Sequence, residues 1–415
     1  MRVSSFINGV FVESDEKRNI SSPITGQVIT PYDVATEAQV NEAVAAARAA
    51  LKGEWGKMGI QQRVDILYRV ADGIEARFEE FLEAECLDTG KPYSLARHVD
   101  IPRGAANFRI FADTIKNIGD EAFHMPTPDG TGALNYTVRK PKGVIGVIGP
   151  WNLPLLLMTW KIGPALACGN TVVVKPSEET QLTMTMLGEV MNEAGVPAGV
   201  FNTVLGPGSR VGDQLISHPG LDAITFTGST ATGQRVAEAA SVGLRDASLE
   251  LGGKNAAIVF ADCDLDKAVE GTMRSAFANC GQVCLGTERV YVERPIFDEF
   301  VSRLKAGAEA LKFGRPEDPE TTMGPLISAG HRDKVLSYYR QAAELGANVV
   351  TGGGAPEMPD DMAGGNWVEP TIWTGLAEDS APMREEIFGP CCHITPFDTE
   401  EEAVRMANDS PYGLA

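Results

Sequence analysis

From Gly143 onward the sequence repeats one alternation, a short apolar and largely β-branched run followed by a segment with helical spacing. "GVIGVIG", "TVVVK", "VFNTVLG" and "AITFTGS" are the runs; "ETQLTMTMLGEVMNEAG", "SRVGDQLISHPG" and "ATGQRVAEAASVG" are helical segments, and "DASLELGG" closes the series. This rhythm predicts a parallel, doubly wound α/β sheet. Such a sheet binds ligands at the carboxyl ends of its strands. A second alternation opens near Gly252 with "NAAIVF", "LDKAVEGTMRSAFANC", "ERVYVE" and "PIFDEFVSRLKAGAEALKFG", and predicts a second α/β domain.

The segment before Gly143 reads differently. "TEAQVNEAVAAARAAL" and "QQRVDILYRVADGIEARFEEFLEAECLD" place apolar residues at helical spacings. The turn-rich "HMPTPDGTGALN" then leads into "YTVRKPKG", which reads as an exposed strand or hairpin, a protruding arm. At 415 residues the chain exceeds what one core usually holds. Its net charge of -20 disfavours a nucleic-acid surface. No stretch is long and apolar enough to span a membrane, and the first 20 residues lack the apolar run of a secretion signal. Seven scattered cysteines fit free thiols in a reducing cytoplasm. The helical "TEEEAVRMAN" is followed only by "NDSPYGLA", where the alternation calls for another strand, so the chain reads as cut short.

No G-x-G-x-x-G stands where a dinucleotide fingerprint would need it. "GPGSRVG" (Gly206, Gly208, Gly212) and "GSTATG" (Gly228 to Gly233) each join a strand to a helix, the place where backbone N–H groups hold a phosphate. Glycine also suits such turns for conformational reasons alone. In "VVVKPSEET" a cation, Lys175, and an anion, Glu178, follow a buried strand. A carboxylate there can accept from both ribose hydroxyls and repel a 2′-phosphate, favouring NAD over NADP; a solvated loop with an acidic helix start is the plainer reading.

"NCGQVCLGTE" sets Cys280 and Cys284 four apart. Zinc would need further ligands, and only Cys391, Cys392 and His393 offer themselves. Cys280 extends the apolar face of "MRSAFANC" and suits packing, whereas Cys284 lies in a glycine-flanked turn where a thiol can be exposed and reactive. A nucleophilic thiol needs a base and an acceptor for developing negative charge. Glu250 in "LELGGKN" can activate a water, and Asn152 in "GPWNLP" can donate to an oxyanion.

"PWNLP", "KPSEET", "FTGSTATG", "LELGGKN", "GQVCLGTERV" and "EEIFGP", in order along nearly the whole chain, resemble the signature set of the NAD(P)-dependent aldehyde dehydrogenase superfamily. "DIPRGAANFRIFAD" and "RSAFANCGQVCLGTERVYVERPIFD" further resemble the 2-aminomuconate and 2-hydroxymuconate semialdehyde dehydrogenases of aromatic ring cleavage. The resemblance implies a Rossmann-like NAD-binding domain over residues 1–122 and 141–251, an oligomerisation arm over 123–140 and a catalytic domain over 252–415. It implies Cys284 as nucleophile, Asn152 as oxyanion donor and Glu250 as base for hydrolysis of a thioester. NAD would be bound by Ile148, Gly149, Pro150, Trp151, Lys175, Ser177, Glu178, Gly208, Gly212, Phe226, Gly228, Ser229, Thr232, Leu251, Glu386 and Phe388. Arg103 is the expected partner of a substrate carboxylate, its plainer role being a surface arginine paired with Asp100 or stacked on Phe108. The family pattern continues for some tens of residues past "PYGLA", and a homodimer or homotetramer is expected of the full length. A generic or betaine-type aldehyde dehydrogenase, and a non-catalytic relative that only binds the cofactor, are the competing readings.

Overall fold

The computed structural model describes residues 3–414 and contains two mixed sheets, each with its own apolar core. In the first sheet the strands run in the order Asp246–Glu250, Ala223–Thr227, Val144–Ile148, Thr171–Lys175, Phe201–Thr203, Ser5–Ile7, Val10–Val12. The first five are parallel and the last two antiparallel. The central strands are buried on both faces: Val144, Val147, Val172, Val173 and Val174 are all fully buried. That explains why they read as continuous apolar runs.

Chain direction across this sheet fixes where a ligand can sit. From Val144–Ile148 the chain proceeds to one side through Thr171–Lys175 and Phe201–Thr203, then returns to the other side for Ala223–Thr227 and Asp246–Glu250. The order reverses between Val144–Ile148 and Ala223–Thr227, which opens a crevice at their carboxyl ends. Pairing of Phe226 with Ile148, Ile148 with Lys175 and Thr227 with Glu250 brings four strand ends to one edge.

The second sheet has the order Asn255–Val259, Thr287–Glu293, Cys391–Phe397, Thr371–Thr374, Asn348–Thr351, antiparallel only at the last pair. Cys391 and Cys392 are buried in its core.

Several local expectations shift. The sheets are mixed rather than purely parallel, because the unread "FINGVFV" forms an antiparallel hairpin on the edge of the first sheet, with Asn8 and Gly9 both at positive φ. Asn-Gly is a strong signal for such a turn. The exposed hairpin pairs Ala122–Met125 with Ala133–Tyr136, so the strand precedes "TVRKPKG" instead of running through it; Pro141 lacks the N–H a ladder needs. The helix of "ETQLTMTMLGEVMNEAG" starts only at Leu182, whose N–H donates to Asp88 Oδ2 at 2.8 Å, a cap supplied by another helix. The segment "QQRVDILYRVADGIEARFEEFLEAECLD" is broken at Arg77 into helices Ile60–Ala76 and Phe78–Thr89. Among the described residues no helix is long and apolar enough to cross a membrane.

Candidate active site

A cleft opens at the strand-order reversal, where an open α/β sheet places its ligands. One wall is the turn that leaves Val144–Ile148. Gly149 is sterically required there, since a Cβ would lie 1.7 Å from Met158 Sδ. Pro150, Trp151 and Asn152 then face the cleft before the helix Pro154–Ala167 begins, with proline at its first position. Asn152 is 4% exposed, and its Nδ2 donates to the Gln282 carbonyl at 2.9 Å. A side-chain amide carries two N–H groups, so one remains for the cleft.

The opposite wall is the loop that carries the thiols. Asn279, Cys280 and Gly281 are consecutive left-handed residues. At Gly281 a Cβ would sit 2.0 Å from the Gly389 carbonyl oxygen, so only glycine fits. This sharp turn buries Cys280, 2% exposed, and leaves Cys284 half-buried and facing the cleft. Burial raises the Cys284 thiol above its ordinary value, the backbone N–H groups of Cys284 and Leu285 partly offset this, and the Glu386 and Glu250 carboxylates add to the rise. The thiol is therefore held protonated until a base or substrate draws the proton off.

Glu386 and Phe388 close the third side. Buried Glu288, ion-paired with Lys254, accepts the N–H groups of Ile387 at 3.1 Å and Phe388 at 2.8 Å, holding Phe388 at φ 62. Glu386 Oε1 accepts from Gly253 N–H at 3.1 Å, and burial raises its carboxyl. Gly228, Ser229 and Leu251 also line the cleft. Ser229 caps the helix Thr230–Val242 by accepting from Thr232 N–H at 3.3 Å, which puts a helix N-terminus on the cleft.

Other singled-out residues lie beside the cleft. Lys175, 3% exposed, pairs with Glu178 at 3.1 Å, and Glu178 Oε1 accepts from Gly208 N–H at 3.3 Å. Burial would raise Glu178, but Lys175 and the backbone donors outweigh it and hold the carboxylate low. Gly208 and Gly212 leave Lys175 room: their Cβ positions lie 4.0 Å from its Nζ and Cδ. Ser177 accepts from Glu179 N–H in the intervening turn. Ile148 and Phe226 are strand-end residues behind the lining, and Thr232 sits one turn into its helix.

Two residues fall outside the cleft. Glu250 ends its strand exposed, lining a neighbouring groove with Lys161 and Trp160. Lys161 is lowered to about 8 by burial, against which the Glu250 carboxylate acts. Arg103 is exposed on the helix Asp100–Lys116, its guanidinium 5.9 Å from the centre of the Trp160 ring. Neither surface partner expected for it holds, because Asp100 is paired with Lys91 and Phe108 is fully buried.

Sequence reasoning missed Leu157, Thr227, His331 and Lys334 in the lining. His331 Nε2 is 2.7 Å from the Phe388 carbonyl oxygen, its ring packs 5.1 Å from Trp151, and burial pushes it down to about 4. Lys334 Nζ donates to the Glu386 carbonyl at 3.0 Å. Neither carries a local motif; only the tertiary fold brings their helix, Ala329–Glu344, to "EEIFGP".

Comparison with known proteins agrees with this geometry. The sequence model of the aldehyde dehydrogenase family matches residues 11–415. A 2-hydroxymuconic semialdehyde dehydrogenase of Pseudomonas sp. (strain CF600) is 68% identical over 100% of this chain and 86% of its own length. A 2-aminomuconic semialdehyde dehydrogenase of Danio rerio is 45% identical over 100% of this chain and 84% of its own. These alignments run the full length of this chain, and the expectation of a shortened chain finds no support in them. The NAD+ complex of an aldehyde dehydrogenase from Bacillus cereus superposes with TM-score 0.94 at 37% identity, covering 100% of this chain and 83% of that one. The chain belongs to the aldehyde dehydrogenase family.

Proposed function

We propose that this protein oxidises a carboxylated semialdehyde of the muconate type to its acid with NAD, through a covalent adduct on Cys284. The observation that carries this reading is the convergence of a half-buried thiol and a locked amide on one cleft at the strand-order reversal.

The residues beside the cleft fit a dinucleotide. Lys175 and Glu178 offer a cation and a carboxylate at a strand end, Gly208 lies beside both, and a helix N-terminus faces inward at Gly228 and Ser229. Glu178, held ionised, suits ribose hydroxyls and repels a 2′-phosphate, which favours NAD over NADP. NAD, when bound, supplies the hydride acceptor.

Chemistry on the protein side follows from the groups present. Hydride does not leave a planar aldehyde carbon readily, so the Cys284 thiol gives its proton to solvent, adds as the thiolate and converts the carbonyl to a tetrahedral alkoxide. The free N–H of Asn152 and the Cys284 backbone N–H stabilise that oxygen, an effect worth about 3 kcal/mol for one such donor. Loss of the hydride leaves a thioester on Cys284. Glu250 takes a proton from the water that hydrolyses it, releasing the acid and regenerating the thiolate.

Substrate choice rests on Arg103 and on the names of the most similar relatives. Arg103 makes no ion pair among the described residues and lies over Trp160 on the helix that starts just after Asn152, so its planar guanidinium is available to a carboxylate. A betaine-type aldehyde carries a cation and gains nothing from it. The apolar residues exposed on the hairpin, Phe123, Leu134 and Tyr136, support assembly into a homodimer or homotetramer. Initial rates with 2-hydroxymuconate semialdehyde and a neutral aldehyde, with NAD and NADP, test the reading. Arg103→Ala is expected to raise KM for the carboxylated substrate on the order of tenfold or more and to leave the neutral one unchanged. Equal effects on both substrates would remove the clamp.

A further inference from the structure

Helix Phe78–Thr89 ends at Gly90, φ +72, where a Cβ would meet Pro325 Cγ at 2.8 Å. This turn delivers Lys91 into the interior, 2% exposed, with Asp100 and Glu85 fully buried around it. Lys91 Nζ lies 2.8 Å from Asp100 Oδ2 and 3.8 Å from Glu85 Oε1, and donates to the Asn152 carbonyl at 2.9 Å. Glu85 Oε2 accepts from Leu155 N–H at 3.3 Å, in the first turn of the following helix. From the other side Asn279 Nδ2 donates to the same Asn152 carbonyl at 3.1 Å, while Gln282, two residues before Cys284, accepts from the Asn152 amide.

Three ionisable side chains buried together are an expensive way to stabilise a fold, since apolar replacements of such groups are often neutral or better. None of the three lines the cleft, yet their hydrogen bonds converge on residues 152 and 155. The Asn152 carbonyl accepts from two donors, one for each lone pair, so its peptide plane is fixed. Burial pushes Glu85 up to about 8, so near neutral pH it keeps its proton and Lys91 with Asp100 is the charged pair.

We infer that the buried Lys91–Asp100–Glu85 cluster fixes the orientation of the Asn152 amide relative to Cys284, with Lys91 a positioning residue for the reaction. The inference rests on Asn152 being the oxyanion donor.

A double-mutant cycle tests it on the intact enzyme. Lys91→Met is expected to lower kcat on the order of tenfold to a hundredfold, as a displaced catalytic group does, with NAD affinity and the KM for NAD unchanged. In an Asn152→Ala background the same change should cost less than about twofold, because the group it positions is gone. A purely structural role would cost the same in both backgrounds, and that additive result would overturn the inference while leaving the role of Asn152 intact. If Asn152→Ala alone keeps near-normal kcat, the donor reading fails and the inference with it. Should Lys91→Met not fold, Lys91→Met with Asp100→Asn removes both charges and enters the same cycle with the same expected outcomes.

Discussion

Asn152 follows, and Glu250 ends, a strand that flanks the same neighbour, Ala223–Thr227, yet the protein treats them in opposite ways. Asn152 is buried, its amide tied to Gln282 and its carbonyl to Lys91 and Asn279. Glu250 is exposed and its carboxylate makes no hydrogen bond among the described residues. A donor to developing charge is effective only if already in place when the charge forms. A base that acts through water must instead reach solvent to take a proton and give it up. The cleft therefore has a fixed amide on one wall, and the free Glu250 carboxylate stands in the neighbouring groove, open to water.

The same contrast separates the two thiols, four residues apart. Cys284→Ala should lower aldehyde oxidation by at least about 10³-fold while calorimetry still detects NAD binding, because the thioester route needs this thiol. Cys280→Ala should leave kcat within about threefold and cost about 1 kcal/mol of stability, the value of a small buried apolar group. Comparable activity losses in the two variants would break the distinction.

Glu250→Gln sharpens the comparison between the two sides. A fast burst of NADH with amplitude near one per active site should survive, followed by turnover slowed about 10²-fold to 10⁴-fold, because only deacylation needs the base. Loss of the burst itself would show that Glu250 also serves the thiol, and that the free carboxylate works earlier than its position suggests.

An effect on stability rather than turnover concerns His331, on the fixed side. The fold holds it neutral down to about 4, whereas an unfolded chain protonates it near 6.5. Its neutral form therefore contributes stability fully present above about pH 6.5 and lost progressively as pH falls towards 4, by up to about 3 kcal/mol. His393, also pushed down to about 4 by burial, adds in the same window. Denaturant melts at pH 7.5 and 4.5 should show a smaller pH difference for His331→Gln than for the unaltered protein; an equal difference would place the acid sensitivity elsewhere.

Much of the site was legible because its chemistry sits in short punctuated turns. "GPWNLP" and "GQVCLG" combine a reactive side chain with residues that prevent a helix or strand from continuing, so Asn152 and Cys284 stood out from their neighbours. Two of the five strands of the second sheet were legible from its alternation, but Asn348–Thr351, Thr371–Thr374 and Cys391–Phe397 were not, nor was the antiparallel contribution of "FINGVFV" to the first, whose partner Phe201–Thr203 lies almost 200 residues away. Lys91, His331 and Lys334 carried no signal: each acts on a loop distant in sequence, through contacts that exist only after packing. Arg103 stood out as a guanidinium near Asp100 and Phe108, but its ring partner, Trp160, comes from another helix.

By itself the sequence determined the strand–helix alternation, the carboxyl-end turns and the identities of the thiol and the amide, because period and turn chemistry are local properties. Tertiary structure alone decided which strand ends are neighbours, that a helix far along the chain brings His331 and Lys334 to the cleft, and that a buried lysine grips the turn carrying Asn152. Those outcomes depend on side chains far apart in the chain being buried against one another, and no local pattern encodes that adjacency.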